Sequence, residues 1–331
     1  IQRVDYHIMS WFSAKRIFLD YASATPVLPE VRREMERYWS DDFYNPNAIY
    51  EEGLRVKLEV DKFKRKIAEL TGARAEGVIF TSGGTEANVL AVRGVKPGKI
   101  IVEPESHPSA LEAVIKSNSK ETTLISSIAT DNKMGRQIRE ERKKNGSKYP
   151  LLHIDASQSA EYYDVGLEAL ACDLVTLDSA KLYGPKGVGA LILRKGVELT
   201  LPPRGTPPMP LIAGFVKALE IAVRDRESER ARLNSLRRQF VSAISLAHPS
   251  IIVGEMEPNI VHVSVPNILP EFLALALDKE GILVSVGPAC DSNKPEPPDT
   301  PVRISLGRFT TQNELERAIE TFCRVTRNML K

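Results

Sequence analysis

Short apolar runs rich in β-branched residues alternate with helix-compatible segments through the first two hundred residues: GVIFT (77–81), KIIVEP (99–104), TTLISSI (122–128), YPLLHIDA (149–156), CDLVTLD (172–178) and GVGALIL (187–193). Runs of this length and β-branched content read as strands. Strands that alternate with helices favour an α/β layer built on a largely parallel sheet. The helical segments carry their own signals. In LRVKLEVDKFKRKIAELTGA, residues Val56, Val60, Phe63, Ile67 and Leu70 fall at alternating spacings of four and three, one apolar helix face that Gly72 terminates. IFLDYASATPVLPEVRREME reads as a short strand, a turn with two prolines and a helix from about Pro29.

The texture changes at Pro210. PLIAGFVKALEIAVRDRESERARLNSLRRQFVSAISLA is helical in pattern throughout and long for an ordinary globular helix, so two helices meeting near Asp225 to Glu227 are expected. Beyond it NIVHVSV, ILVSVG and VRISLG read as strands, while PEFLALALDKEG and TQNELERAIETFCRVTRNML read as amphipathic helices, an α+β arrangement. With 331 residues the chain supports two domains. The expected division is a large α/β domain over 26–224 and a smaller α+β domain from 9–25 and 225–331.

Composition excludes some classes. A hydrophobic share of 42%, a charged share of 27% and a net charge of +2 are ordinary for a globular protein and predict neither a nucleic-acid nor a membrane partner. No apolar run approaches the roughly 18 residues of a membrane span. Cys172, Cys290 and Cys323 are an odd number without paired spacing, which fits a reducing cytoplasm and neither a disulfide framework nor a metal site. Cys172 and Cys323 sit in apolar-periodic segments and are expected in the core, as His153, His248 and His262 are expected to be structural. Cys290 differs, because SVGPACDSNKPEP is a Gly/Pro-rich loop where a thiol is retained for its reactivity.

Three further stretches offer chemistry. In TSGGTEAN, Gly83 and Gly84 stand between an apolar strand and a helix, a place where helix N–H groups suit a phosphate, or where Thr85 simply caps the helix. In LLHIDASQSA, Asp155 directly follows an apolar strand and Gln158 lies three residues on; a carboxylate there is either a ligand contact or another N-cap. In VTLDSAKLYGPKGVGALIL, Lys181 follows an apolar strand, a low-dielectric setting that lowers an amine's pKa and makes it a nucleophile or base, whereas Lys186 reads as a solvated loop lysine.

In order and approximate spacing, LDYASATPV, TSGGTEAN, ESHPSALE, HIDASQS, AKLYGPKGVGAL, PNIVHVS, GPACDS and VRISLGRFTT resemble the cysteine desulfurases, pyridoxal-phosphate enzymes of the class V aminotransferase group with fold type I. The resemblance runs from about residue 17 to the C-terminus and implies a role for each matched residue. Lys181 would hold the cofactor as a Schiff base and act as the base at the substrate Cα. Asp155 would pair with the pyridine nitrogen, Gln158 with the ring hydroxyl, and His107 would stack on the ring. Thr85 and the Gly84 N–H would bind the phosphate, and Arg303 would clamp the carboxylate of L-cysteine. Cys290 matches the nucleophile that takes sulfur as a persulfide, releasing L-alanine, for a sulfur-acceptor protein or small thiol in iron–sulfur cluster assembly or tRNA thiolation.

The chain also departs from the pattern. Asp178, Ser179 and Ala180 replace the Ser-Gly-His before the lysine, which puts a carboxylate in line with the phosphate and leaves Ser179 to compensate. LTLPPRGTPP is a shortened loop in which Thr206 resembles the threonine that reaches the partner subunit's phosphate, so a homodimer is implied. Between His107 and Asp155 a strand and helix of the relatives are missing. TDNKMG replaces an asparagine-rich segment, so Asp131 or Asn132 would take over substrate contact. Cys290 is only 13 residues before Arg303, a short tether that favours a nearby acceptor or small thiols. The other readings are a related lyase or aminotransferase, for example on selenocysteine, and a degenerate non-catalytic scaffold of the same fold.

Overall fold

The computed structural model describes residues 16–115, 117–128, 131–200, 205–256, 258–287 and 300–330. It divides into two compact units, one Ala24–Glu229 and the other formed by the described residues up to Ser23 together with those from Arg230 onward. Among the described residues the first element is β1 (Ile17–Phe18), in the second of these units, and the first unit opens with two helices, α1 (Pro29–Ser40) and α2 (Glu51–Thr71). Pro29 opens α1, where its missing N–H costs nothing, and Val31, Met35 and Tyr38 form the buried face. Gly72, at φ 68°, ends α2 in the left-handed conformation that the sequence pattern anticipates, and Val56, Val60 and Ile67 are buried beneath it.

The sheet of this unit follows: β2 (Val78–Thr81), α3 (Gly84–Gly94), β3 (Lys99–Val102), α4 (Pro108–Leu111), β4 (Thr122–Ser127), α5 (Lys133–Asn145), β5 (Leu151–Asp155), β6 (Leu174–Asp178) and β7 (Gly189–Leu193). All six apolar runs are strands, in the spatial order β2-β7-β6-β5-β4-β3. β3 to β6 are mutually parallel, and β7 runs antiparallel to both β6 and β2. β2 therefore points the same way as β3 to β6, and the carboxyl ends of five strands line one edge.

Both faces of the sheet are covered, which is why its strands read as continuous apolar runs. One face packs Val175, Leu177, Ala190 and Ile192 against Ile212, Phe215 and Leu219, and the other packs Leu174, Leu191 and Leu193 against Ala87 and Ala91 of α3. Complete burial of a Leu or Ile contributes roughly 1.5–3 kcal/mol, so this sandwich is the main source of the unit's stability. At the amino end of the sheet Asp173 accepts hydrogen bonds from Leu152 N (2.9 Å) and Arg142 Nη1 (3.0 Å), with Arg194 Nε 3.6 Å away.

α6 (Met209–Ala247) corrects one expectation: it is a single unbroken helix and not two meeting at Asp225 to Glu227. The charged stretch RDRESERAR contains no glycine or proline, and its residues are adequate helix formers. Loss of the apolar stripe there marks the passage between two cores, Ile212 to Ala222 in the first unit and Leu233, Leu236, Phe240 and Ile244 in the second.

The second unit continues with β8 (Ile252–Met256), β9 (Ile260–Ser264), α7 (Pro270–Lys279), β10 (Ile282–Leu283), β11 (Ser285–Val286), β12 (Val302–Ser305) and α8 (Gln312–Met329). β11-β12-β9-β8 form an antiparallel sheet, and β1 pairs in parallel with β10. A capping box between Thr311 and Glu314 starts α8, whose Leu315, Ala318, Phe322 and Val325 are buried, with Phe322 edge-on to Phe240 at 6.0 Å. Cys172 is buried, and burial pushes its thiol up to about 12. Cys323 is only partly enclosed, because it sits at the rim of the α8 stripe and not within it.

His153 is fully buried in β5, its Nδ1 2.8 Å from Ser126 Oγ on β4 and its Nε2 2.9 Å from Thr176 Oγ1 on β6. Burial pulls its pKa from 6.5 down to about 4, against a smaller upward pull from Asp155. Because the folded value is depressed, the neutral ring's contribution is complete above pH 6.5 and is lost as pH falls towards 4. We expect urea unfolding to show a loss of up to about 3 kcal/mol across that window, flattened in His153→Gln; an unchanged acid limb in the variant would contradict this.

Candidate active site

The topology gathers the candidate residues of the first unit at the shared carboxyl edge. Gly84 and Thr85 follow β2, His107 follows β3, Asn132 precedes α5 after β4, Asp155 and Gln158 end β5, and Ser179 and Lys181 follow β6. Asp155 is the best-anchored of them. Its Oδ2 accepts from Asn88 Nδ2 at 2.7 Å and its Oδ1 from Ser157 N at 3.0 Å. The second Asn88 N–H reaches Ser109 Oγ at 3.1 Å, and Ser109 Oγ lies 2.7 Å from His107 Nδ1. Ser109 N also donates to Nδ1 at 3.0 Å, so this nitrogen is an acceptor and the ring carries its proton on Nε2. A chain Asp155–Asn88–Ser109–His107 thus fixes both a carboxylate and an imidazole.

The turn with Lys181 is pinned from outside. Thr25 Oγ1 donates to Ala180 O (2.9 Å) and accepts from Tyr183 N (2.9 Å), while Leu182 N and Gly184 N both return to Ser179 O at 3.0 Å. Tyr183 holds φ 59° within this turn, a conformation that costs a non-glycine residue energy and persists because its neighbours determine it. Thr25 and Asn88 were not singled out as site residues from sequence, although LDYASATPV and TSGGTEAN contain them.

At the start of α3, Gly83 has φ 151°, and a methyl group there would meet nothing within 4 Å. At Gly84 a methyl group would come within 2.9 Å of Ser157 Oγ and 3.3 Å of Asp178 Oδ2. Asp178 Oδ1 meanwhile caps Ala180 N at 2.9 Å. The carboxylate is therefore turned onto its own following turn, yet its second oxygen remains beside the helix start. Ser179 Oγ packs against Gly184, so the hydroxyl nearest Gly84 belongs to Ser157.

The remaining candidates are spread. Thr206 is exposed and lines a cavity of about 480 Å³ with Thr81, Ser82, Glu86 and Gly205. Asp131 is exposed, and a hydrogen bond from Lys133 N holds its carboxyl below the usual range; Asn132 is half-buried at the start of α5. Arg303, in β12 of the second unit, is 3% exposed; Nη1 donates to Gly287 O (2.8 Å), and Nη2 to Asp20 Oδ1 (2.9 Å) and Ser23 Oγ (2.6 Å). Cys290 lies outside the described residues.

Pyridoxal phosphate fits the ring end of this edge. Each Asp155 oxygen keeps a lone pair for a ring N–H, and Asn88 Oδ1, Ser106 Oγ and Ser157 Oγ are buried without a partner. The phosphate end fits through the first-turn N–H groups of α3, with Asp178 as the opposing charge.

A lysine, an aspartate and a histidine share the carboxyl edge of a mostly parallel sheet, as the resemblance to fold type I enzymes implies, and similarity to known proteins shows that class. The aminotransferase class-V family model matches residues 17–144, 105–204 and 203–318 in overlapping stretches. "Cysteine desulfurase IscS" of Salmonella schwarzengrund (strain CVM19633) is 31% identical over 92% of this chain and 91% of that protein, and the protein of the same name from Dictyoglomus turgidum is 29% identical over 94% of each. A solved structure titled "NIFS-LIKE PROTEIN" matches with a TM-score of 0.82 at 25% identity, covering 94% of this chain and 99% of that one. The apo cysteine desulfurase structure from Thermococcus onnurineus NA1 shares the fold, with a TM-score of 0.77 at 17% identity and 95% coverage of both chains. The chain belongs to the cysteine desulfurase group of the class-V aminotransferase family, whose members depend on pyridoxal phosphate.

Two substitutions test the site. Asn88→Ala leaves Asp155 Oδ2 and Ser109 Oγ without their shared donor, so urea unfolding should show a loss of about 1–3 kcal/mol, and an unchanged midpoint would count against the chain of bonds. Asp178→Ser keeps a cap for Ala180 N but removes the charge, so pyridoxal phosphate should bind about fivefold tighter, a gain near 1 kcal/mol. Pyridoxal, which lacks the phosphate, should bind both proteins equally in the same absorbance titration; equal tightening of the two would contradict the assignment.

Proposed function

We propose that the protein is a cysteine desulfurase: it takes the sulfur of L-cysteine onto Cys290 as a persulfide and releases L-alanine. The observation that carries this reading is the bonded chain from Asp155 through Asn88 and Ser109 to His107, sharing a sheet edge with Lys181, in a family whose named relatives are cysteine desulfurases.

When bound, pyridoxal phosphate supplies an electron sink for charge developing at the substrate Cα. The chain's own residues do the rest. Asp155, held by two donors, would pair with the ring nitrogen. Lys181, on its pinned turn, anchors the group and moves the Cα proton. His107, its Nδ1 held by Ser109 and its proton on Nε2, would stack on the cofactor ring. Gln158 would contact the ring hydroxyl and Gly84 and Thr85 would hold the phosphate, with Ser157 replacing Ser179 as the near hydroxyl, while Thr206 would reach the phosphate held by the partner subunit. Arg303 would receive the substrate carboxylate, and Asn132, at the carboxyl edge of the first unit's sheet, would add a second contact.

At Cys290 the thiolate attacks the substrate sulfur. An S–S bond forms as the substrate's Cβ–S bond breaks, and a proton completes alanine. The short stretch to Arg303 favours a closely docked acceptor or a small thiol. A homodimer is supported by the exposed apolar run Trp39, Phe43, Ile49, Tyr50, Leu54 and Leu58, with Ile49 at 94% exposure. No helix among the described residues is long and apolar enough to cross a membrane. A free thiol nucleophile suits a reducing compartment such as the cytoplasm.

The test is alanine and persulfide formation from L-cysteine by the full-length, cofactor-loaded protein. Cys290→Ser should abolish sulfur release, by at least a hundredfold, while keeping the visible absorbance of the loaded protein. Lys181→Ala should lose both. Turnover retained in Cys290→Ser would favour instead a lyase that does not use this cysteine, and absence of any cofactor absorbance would favour a non-catalytic scaffold.

A further inference from the structure

Arg303 already holds a carboxylate of its own chain. A guanidinium offers five N–H donors, and both of its two-donor edges include Nη2: one pairs it with Nη1, the other with Nε. In this structure both Nη2 hydrogens are taken, one by Asp20 Oδ1 at 2.9 Å and one by Ser23 Oγ at 2.6 Å. Nη1 gives one of its hydrogens to Gly287 O at 2.8 Å, and Nε is buried with no partner. The donors left over, Nε–H and one Nη1–H, do not lie on a common edge, so a second carboxylate cannot be bound bidentately while Asp20 and Ser23 keep their places.

The internal carboxylate is itself well held. Asp20 Oδ2 accepts from Ser285 Oγ at 2.7 Å and Oδ1 from Ser23 Oγ at 2.9 Å. Asp20 is brought here by the parallel pairing of β1 with β10 and by its own bridge to Ser305, while Arg303 sits in register opposite Ser285 on one side and His262 on the other. All these groups belong to the second unit. The arrangement is a built acceptor for a planar anion with a self-ligand in it.

We propose that Asp20 is a specificity-determining residue that occupies the carboxylate clamp of Arg303 in the resting protein, so that an α-carboxylate ligand binds only by exchanging with Asp20. This rests on the reading of Arg303 as the substrate-carboxylate clamp. The exchange lowers apparent affinity for every α-amino acid by the fraction of protein in which Asp20 has let go, and leaves amines without a carboxylate unaffected. Weak non-carboxylate anions that cannot displace Asp20 are thereby kept off a buried arginine.

The experiment uses the full-length, pyridoxal-phosphate-loaded protein and reads the dissociation constant of L-alanine from the visible absorbance, with ethylamine as the carboxylate-free probe. Asp20→Asn is isosteric and leaves an oxygen for Nη2 without the charge, so L-alanine should bind about fivefold to tenfold tighter, the difference between a charge-assisted and a neutral hydrogen bond. Ethylamine affinity should not change. Ser23→Ala frees one Nη2 hydrogen without leaving the guanidinium unpaired, and should tighten L-alanine about twofold; it keeps the test open should Asp20→Asn fail to fold, which the melting profile reports. Weaker L-alanine binding in the folded variants would overturn the proposal, because Asp20 would then hold the guanidinium in the pose that the ligand uses. Arg303→Lys separates the two readings: if it leaves the L-alanine constant unchanged, the clamp itself is misplaced, whereas a selective loss for L-alanine with no gain from Asp20→Asn leaves the clamp and removes the exchange.

Discussion

Much of the first unit's functional edge hangs on one hydrogen bond, from Asn88 Nδ2 to Asp155 Oδ2. The donor comes from the second turn of α3 and the acceptor from the last residue of β5, so the bond ties the helix after β2 to a strand three places away across the sheet. The same amide supports Ser109 and through it His107, which places an acceptor-only carboxylate and an Nε2-protonated imidazole in a fixed relation. Charge-assisted bonds of this kind are the strong ones, and at a sheet edge partly withdrawn from water they hold both side chains in place and fix the tautomer of the ring.

The parallel strands make that bond possible. Because β2 and β3 to β6 end at one edge, groups far apart in sequence meet without long loops, and each is delivered by the turn that follows its strand. Lys181 is the clearest case. Its turn leaves the sheet in a strained conformation at Tyr183 and is stapled by Thr25, which precedes the first helix of the unit. The position of this turn is set by a threonine distant in sequence as well as by the bonds to Ser179 O within it.

The strands and their approximate limits were legible because each is an uninterrupted apolar run, and α2 was legible because its apolar face and terminal glycine agree. The residues with chemistry were legible as candidates because they follow those runs directly. Their partners were not. Asn88 and Asp155 are 67 positions apart, and Asp20 and Arg303 are 283 apart, separations at which no local pattern in a single sequence reports a contact. α6 misled for another reason: a charged interval in a helical pattern looks like a boundary, but charge alone does not end a helix when every residue in it can continue one. That Ser157 and not Ser179 lies beside Gly84 was hidden because each serine follows closely on the end of a strand, and only the turn geometry separates them.

Asp173 and the four unpartnered atoms at the opposite edge describe a division of labour along the strands. At the amino edge, Asp173 is saturated by Arg142, Leu152 N and the nearby Arg194, so the edge is electrostatically closed, and removing one charge there would strand its counterpart. At the carboxyl edge, Asn88 Oδ1, Ser106 Oγ, Ser157 Oγ and Ser179 Oγ are left open. The sheet thus behaves as a lever with a clamped end and a working end. Sequence drift at the clamped end registers as melting temperature, as does loss of the Asn88 amide at the other, whereas drift at the open serine hydroxyls breaks no bond within the fold and alters only what can be held there.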